Sequence, residues 1–249
     1  MITNYFDKQF EIRYFEVNKN GIASPTTILT LLEETAAEHC DSINYNLFQL
    51  EKANIGWVLV SGVLEMERYP NYKEKITIRT WLSEYTSIKG IRENIIYDEE
   101  NNVIGRAKGI WVFFDIERRR PAKIFDEIKE KWSFCSEESI SYNVSEKILV
   151  IDKPDCELEF KVNSYDTDMN KHVNNIKYLQ WVLESVPEDI INNYYLHSID
   201  GRFIAEANYG QTILSLTKND IENESFIHTI KTEGDDKVCA TAKTIWRKL

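Results

Sequence analysis

No stretch of this chain is apolar for long enough to approach a membrane span. Its four cysteines, Cys40, Cys135, Cys156 and Cys239, are scattered and form no C-x-x-C pair. They read as free thiols of a reducing cytoplasm rather than as a disulfide frame. The first residues, Met1 to Asp7, lack the basic and apolar regions of a secretory leader. A basic surplus is also missing: 30 Lys and Arg stand against 41 Asp and Glu, a net charge of -11, which argues against a general nucleic-acid binder. There is no phosphate loop, no G-x-S-x-G elbow and no pairing of the four histidines that suits a metal. The sequence therefore points to no metal and no cofactor. What remains is 249 residues with 43% apolar content, enough for one large or two small domains with a sizeable core.

Taken in order, residues 10–17 alternate and predict a strand. Asn18 to Gly21 is a turn, and Ser24-Pro25 is an N-cap followed by proline at the first helical position. Ile28, Leu31, Leu32, Thr35, Ala36 and His39 then follow one helical stripe. His39 lies on an otherwise apolar stripe that carries no acid or amide set, so it reads as structural. Residues 57–66, 75–82, 90–98 and 103–115 predict strands, the last two joined by the turn at Glu99 to Asn102. One long helix followed by antiparallel strands is an α+β pattern. Residues 124–155 are polar and charged, and predict a short helix and a linker.

The second half repeats the first. Ala107-Lys108-Gly109-Ile110-Trp111 recurs as Ala242-Lys243-Thr244-Ile245-Trp246 (242 − 107 = 135), and Ile95 falls on Ile230 at the same offset. Two residues more place Asn71-Tyr72 on Asn208-Tyr209 and Tyr69 on Glu206. Two copies imply a duplicated domain rather than a solenoid. The expected organisation is an N-terminal domain over 1–130, a linker over 131–155 and a C-terminal domain over 156–249.

The densest chemistry lies between Tyr165 and Tyr178. Asp168, Asn170 and His172 are spaced by two, and on an extended backbone they share one face. Asn174 or Asn175 can cap the helix that follows, which runs through Ile176, Leu179, Leu183 and Val186 to Pro187. A helix start offers N–H groups that can stabilise an oxyanion. Taken alone, D-x-N-x-H reads more readily as a polar turn that only caps a helix. The duplication separates the two readings: the matching turn near Asn18 to Ile22 has neither carboxylate nor histidine.

Thr167-Asp168-Met169-Asn170-Lys171-His172-Val173-Asn174-Asn175-Ile176-Lys177-Tyr178 resembles the acyl-[acyl carrier protein] thioesterases of plants and bacteria, as do Trp181 to Ser185, Arg68-Tyr69-Pro70, Gly56 to Leu59 and Thr80-Trp81. The resemblance spans nearly the whole chain. It implies a tandem (double) hot-dog, each half a long helix wrapped by an antiparallel sheet, and hydrolysis of fatty acyl carrier-protein thioesters in fatty acid biosynthesis. It places the family's catalytic aspartate, asparagine, histidine and glutamate on Asp168, Asn170, His172 and Glu206. Plant members carry a cysteine directly after that glutamate. Here the position is Ala207, so a Cys–His mechanism at that site is closed to this chain.

Water is then the expected nucleophile, activated by Glu206, His172 or the pair, with Asp168 orienting His172 and Asn170 donating to the carbonyl oxygen. Direct attack by Glu206 through an anhydride competes with this scheme. The resemblance also implies an acyl tunnel in the first half, with Ile28, Leu32, Trp57 and Trp81 as lining residues. The partner is acyl carrier protein, an acidic protein, so Arg118, Arg119, Arg120 and Lys123 are its docking candidates, with Lys171 and Lys177 at the site mouth as the other choice. The chain acts as a monomer or homodimer. An acyl-coenzyme A thioesterase and a non-catalytic acyl-binding protein on the same fold are the competing readings.

Overall fold

The structure, a computed structural model, describes residues 5–168 and 172–249. It divides into two compact units, Met1–Val144 and Ser145–Leu249. The N-terminal unit contains strand β1 (Phe6–Glu11), helices α1 (Pro25–Ser42) and α2 (Leu47–Lys52), strands β2 (Ile55–Met66), β3 (Lys75–Tyr85), β4 (Lys89–Tyr97), β5 (Val103–Asp115) and β6 (Arg120–Pro121), and helix α3 (Asp126–Lys131). Its sheet runs β1-β3-β4-β5-β2, every pairing antiparallel, with β6 returning onto β5. The C-terminal unit contains β7 (Cys156–Lys161), α4 (Asn175–Glu184), α5 (Glu188–Asn193), β8 (Tyr194–Phe203), β9 (Thr212–Asp220), β10 (Ser225–Thr232) and β11 (Val238–Lys248). Its order, β7-β9-β10-β11-β8, is the same topology again. Each unit is thus a hot-dog, a helix packed on an antiparallel sheet, and the repeat read from the sequence is a repeat of structure.

The helices start where their caps dictate. The Ser24 hydroxyl accepts the Thr27 N–H at 3.1 Å, and Pro25 occupies the first turn, where no N–H is needed. The Asn174 Oδ1 accepts the Ile176 N–H at 2.8 Å, and α4 ends at Glu184, short of Val186 and Pro187, where the Ser185 N–H turns back to the Val182 and Leu183 carbonyls. In the N-terminal unit α1 lays Ile28, Leu31, Ala36 and Cys40 on the sheet. Fully burying Ile28 and Leu31 is worth about 1.5–3 kcal/mol each. His39, on the same stripe, is buried and stacks on Phe6. Its Nδ1 accepts from the Arg92 guanidinium at 3.0 Å. That bond confirms a structural role for His39.

Strand alternation decides which side chains meet α1. Arg92 reaches His39 and the Thr80 hydroxyl on the helix side, so the next residue along each strand, Glu93 and Trp81, points to the opposite face. There the Glu93 carboxylate, fully buried, accepts from Ser83 Oγ at 2.8 Å and from the N–H and hydroxyl of Ser139 at 3.0 and 2.6 Å. Residues 132–144 are held on this unit. Trp132 is in its core, the Leu82 N–H and C=O pair with Ser133 O and Cys135 N, and Ile140 and Val144 pack on Val63 and Ile110.

The predicted strand over 10–17 differs from what forms. Strand β1 ends at Glu11, and Tyr14–Glu16 is a 3₁₀ turn whose Glu16 carboxylate accepts the Arg13 N–H at 2.7 Å. That local side-chain bond outcompetes the ladder that alternation alone suggests.

Candidate active site

In the C-terminal unit, Asp168, His172 and a strap of chain meet at the start of α4. The Asp168 N–H donates to His172 O at 2.9 Å, and the His172 N–H approaches Asp168 Oδ1 at 3.4 Å. Thr167 and Val173 form an antiparallel bridge just outside them. The two residues therefore face each other across a turn instead of following one another along an extended run. Spacing by two suits either arrangement, and only backbone hydrogen bonding decides. Asn170, and Lys171 beside it, lie outside the described residues.

The strap is Ile204 to Asn208. The N–H groups of Ile204 and Ala205 both donate to Cys239 O, at 2.8 and 3.1 Å, and the Val173 N–H donates to Ala207 O at 3.1 Å. His172 bridges Asn208 through the backbone. These bonds bring Glu206, 34 positions from His172 in sequence (206 − 172 = 34), to the imidazole: His172 Nε2 lies 3.3 Å from Glu206 Oε2. The His172 side chain is 23% exposed and that of Glu206 41%, so the pair sits at the surface where substrate and water can reach it.

The peptide between Glu206 and Ala207 is gripped at both ends. Lys237 Nζ donates to Glu206 O at 2.7 Å, and the Ala207 N–H donates to the Tyr178 hydroxyl at 2.8 Å. Tyr178, on α4, is buried. Burial, opposed by the Ala207 N–H that the hydroxyl accepts and helped by the nearby carboxylates of Glu206 and Asp168, raises its phenol above the ordinary tyrosine range. Cys239 is buried nearby, and burial pushes its thiol up as well. A thiol held protonated is a poor nucleophile.

The N–H groups near Asn174, expected to serve an oxyanion, are spent. Asn174 donates to Asp166 O at 3.0 Å, Ile176 to its own cap, and Lys177 to Asn174 O at 2.9 Å. Among the described residues no cluster of His, Cys, Asp and Glu could hold a metal ion.

The N-terminal unit shows the same scaffold without the chemistry. Asn18 N bonds Ile22 O at 2.8 Å, Ala23 N bonds Pro70 O at 2.8 Å, and Glu67 N bonds Ile104 O at 2.9 Å, reproducing the bonds of Asp168, Val173 and Ile204. Ile22 stands in the place of His172 and Tyr69 in the place of Glu206.

Of the residues expected to line an acyl tunnel, Trp81 lies on the sheet face away from α1. Ile28 and Leu32 are on α1. The Trp57 ring packs on Phe113 and Trp132 at 4.7 and 5.1 Å, in the cluster that holds Cys40. Trp81 is on the opposite sheet face, its indole N–H donating to Glu137 O at 2.9 Å. Of the basic group, which is exposed around β6, Arg118 pairs with Asp115 at the end of β5 at 3.1 Å and Lys123 with Asp126 at the start of α3 at 3.2 Å. Arg119 adopts a left-handed backbone at φ 51° there. Lys177 pairs with Asp166 at 3.1 Å. Sequence reading missed Tyr178 and Lys237 as parts of the site. Tyr178 closes the motif, but nothing in its spacing reveals a bond to a peptide 29 residues away.

The chain was compared with known proteins. The family Acyl-ACP thioesterase N-terminal domain matches residues 3–132, and Acyl-ACP thioesterase C-terminal domain matches residues 151–248. The chain is 28% identical to the chloroplastic oleoyl-acyl carrier protein thioesterase 1 of Arabidopsis thaliana, over 98% of this chain and 76% of that protein. Among solved structures, an acyl-ACP thioesterase from Bacteroides thetaiotaomicron superposes with TM-score 0.87 at 22% identity, covering 98% of each chain. The 12:0-ACP thioesterase of Umbellularia californica gives 0.88 at 21% identity, covering 100% of this chain and 99% of that one.

Proposed function

This chain belongs to the acyl-ACP thioesterase family, and we propose that the His172–Glu206 pair hydrolyses fatty acyl-carrier-protein thioesters in fatty acid synthesis, releasing free fatty acid and carrier protein. The observation that carries the assignment of chemistry is the 3.3 Å contact between His172 Nε2 and Glu206 Oε2, built in one unit on a scaffold whose twin has isoleucine and tyrosine there.

Water attacks the thioester carbonyl carbon, Glu206 accepts the water proton, and the C–S bond breaks as the tetrahedral intermediate collapses. His172 carries a proton across the pair and gives it to the departing thiolate. Asp168 holds the His172 backbone, and Asn170 donates to the carbonyl oxygen. The alternative, an anhydride on Glu206, uses the same pair and is distinguished by solvent ¹⁸O appearing in the glutamate. The acyl chain lies in the N-terminal unit beside α1, where the half-buried Leu32 and Trp57 are its lining candidates, over the fully buried Ile28, while Trp81 fixes the far side of the sheet. Arg118, Arg119, Arg120 and Lys123 form the exposed cationic turn that meets the acidic carrier. The four cysteines are free, consistent with a reducing, cytoplasmic setting. Among the described residues no helix is long and apolar enough to cross a membrane.

The test is thiol release from a panel of acyl carrier-protein substrates, beside the same acyl groups on coenzyme A, with wild type, His172→Ala and Glu206→Gln. Carrier substrates should be cleaved faster, and each variant should lose roughly 10²–10⁴-fold in kcat. A loss below about tenfold in either variant would remove that residue from the chemistry. Preference for coenzyme A would reassign the substrate.

A further inference from the structure

We propose that Tyr178 and Lys237 are positioning residues that clamp the Glu206–Ala207 peptide and so fix the Glu206 carboxylate against His172. The inference rests on the catalytic reading of the pair and adds two residues to it.

The clamp is the part of the strap that the two units do not share. In both, two successive N–H groups converge on one carbonyl, that of Cys239 or Ile104, and one N–H from the loop side holds the strap, from Val173 or Ala23. These bonds fix the course of the chain but not the rotation of the one peptide that carries the glutamate. In the C-terminal unit that peptide has its C=O held by Lys237 Nζ at 2.7 Å and its N–H held by Tyr178 at 2.8 Å. A peptide is planar, so two opposed anchors fix its orientation and with it the direction of the Glu206 Cα–Cβ bond. In the N-terminal unit the equivalent peptide is Tyr69–Pro70, which has no N–H to hold. Ile28 stands where Tyr178 does, and Asn102, whose side-chain amide is used by Asp98 and Glu100, stands where Lys237 does. The three differences occur together, in the unit that also lacks the carboxylate and the imidazole.

The chemistry of the two anchors suits the task. Tyr178 is 2% exposed, and its ring is wedged between Trp181 at 5.7 Å and Phe203 at 6.3 Å, so its hydroxyl has little freedom. The phenol stays protonated, because burial raises it, and a neutral hydroxyl accepts the Ala207 N–H while keeping its own proton. Lys237 follows a turn and reaches back across the strap, so its anchor is independent of α4. A pair whose charges work at 3.3 Å is sensitive to small rotations, since about 1 Å of misplacement can cost about 10²-fold in rate.

The experiment measures kcat and KM for Tyr178→Phe, Lys237→Met and Lys237→Arg on an acyl carrier-protein substrate, in wild type and in a Glu206→Gln background. Tyr178→Phe keeps the ring packing and removes one anchor. It should lower kcat about 10–100-fold with KM within about twofold. Lys237→Met should lose about tenfold, and Lys237→Arg should recover most of it. In the Glu206→Gln background neither substitution should lower kcat further, because the clamp acts through that carboxylate. Losses of equal size in both backgrounds, or no loss in wild type, overturn the clamp and leave two structural hydrogen bonds. Should Tyr178→Phe fail to fold, Lys237→Met, at a half-buried turn, carries the same comparison. Activity that persists in Glu206→Gln itself overturns the catalytic reading, and the clamp with it. A dead Glu206→Gln beside an unaffected Tyr178→Phe overturns the clamp alone.

Discussion

Each unit carries a buried histidine, and acidification should destabilise both by an amount the structure allows to be worked out. In the C-terminal unit His228 is fully buried between two threonines, its Nδ1 2.9 Å from Thr217 Oγ1 and its Nε2 2.9 Å from Thr244 Oγ1. One ring nitrogen donates and the other accepts, so the neutral ring is satisfied, and burial lowers its pKa to about 3. His39 in the N-terminal unit, buried beside the Arg92 cation, is lowered to about 2 by desolvation first and that charge second. In the unfolded chain both titrate near ~6.5. Above that value neither state binds the proton and no stability is lost. As pH falls below it, the unfolded chain binds protons that the folded chain refuses, so stability falls until the folded pKa is reached. The slope is about 1.4 kcal/mol per pH unit for each histidine, and between about pH 7 and pH 5 each unit should lose about 2 kcal/mol. Few carboxylates contribute in that window, since their unfolded pKa values lie near ~4. Urea unfolding of wild type and His228→Gln at the two pH values reads this directly. The variant starts less stable but should lose about 2 kcal/mol less on acidification. An identical pH dependence in the two proteins would refute the argument, since it would mean that His228 does not titrate differently on unfolding.

Other perturbations test separate parts of the structure. Lys108 lies 3.6 Å from the buried Glu93 carboxylate, so Lys108→Met should leave that charge without a cation and cost about 3–5 kcal/mol, seen as a lower midpoint for the N-terminal unit. Gly105→Ala places a Cβ in collision with Met66 Sδ and 3.1 Å from Glu65 O, and calorimetry should show about 1–3 kcal/mol of destabilisation. Cys239→Ala should keep kcat within a few-fold; a loss of 10²-fold or more, on the order expected for a nucleophile, would return the thiol to the mechanism. Replacing Arg118, Arg119 and Arg120 by alanine should raise KM for the carrier-bound substrate and flatten its salt dependence. An unchanged KM at low salt would remove this turn from docking.

The sequence alone carried the duplicated fold. Strand alternation, the Ser24-Pro25 and Asn174 caps and the recurrence of residues 107–111 at 242–246 are local or strictly periodic signals, and local hydrogen bonding and burial enforce them. The Asp168 to His172 motif was legible as a unique polar turn because its twin lacked it, whereas Glu206, one acid among 41, was found only through resemblance. Tertiary structure decided the rest. It put Trp81 on the sheet face away from α1, because alternation says that neighbours differ but not which one meets the helix. It set Asp168 across a turn from His172, and it brought Tyr178 and Lys237 to the Glu206 peptide over separations of 29 and 31 residues. Contacts at that range depend on the register of strands β8, β9 and β11 and on where α4 rests against them. The composition of the motif itself contains neither.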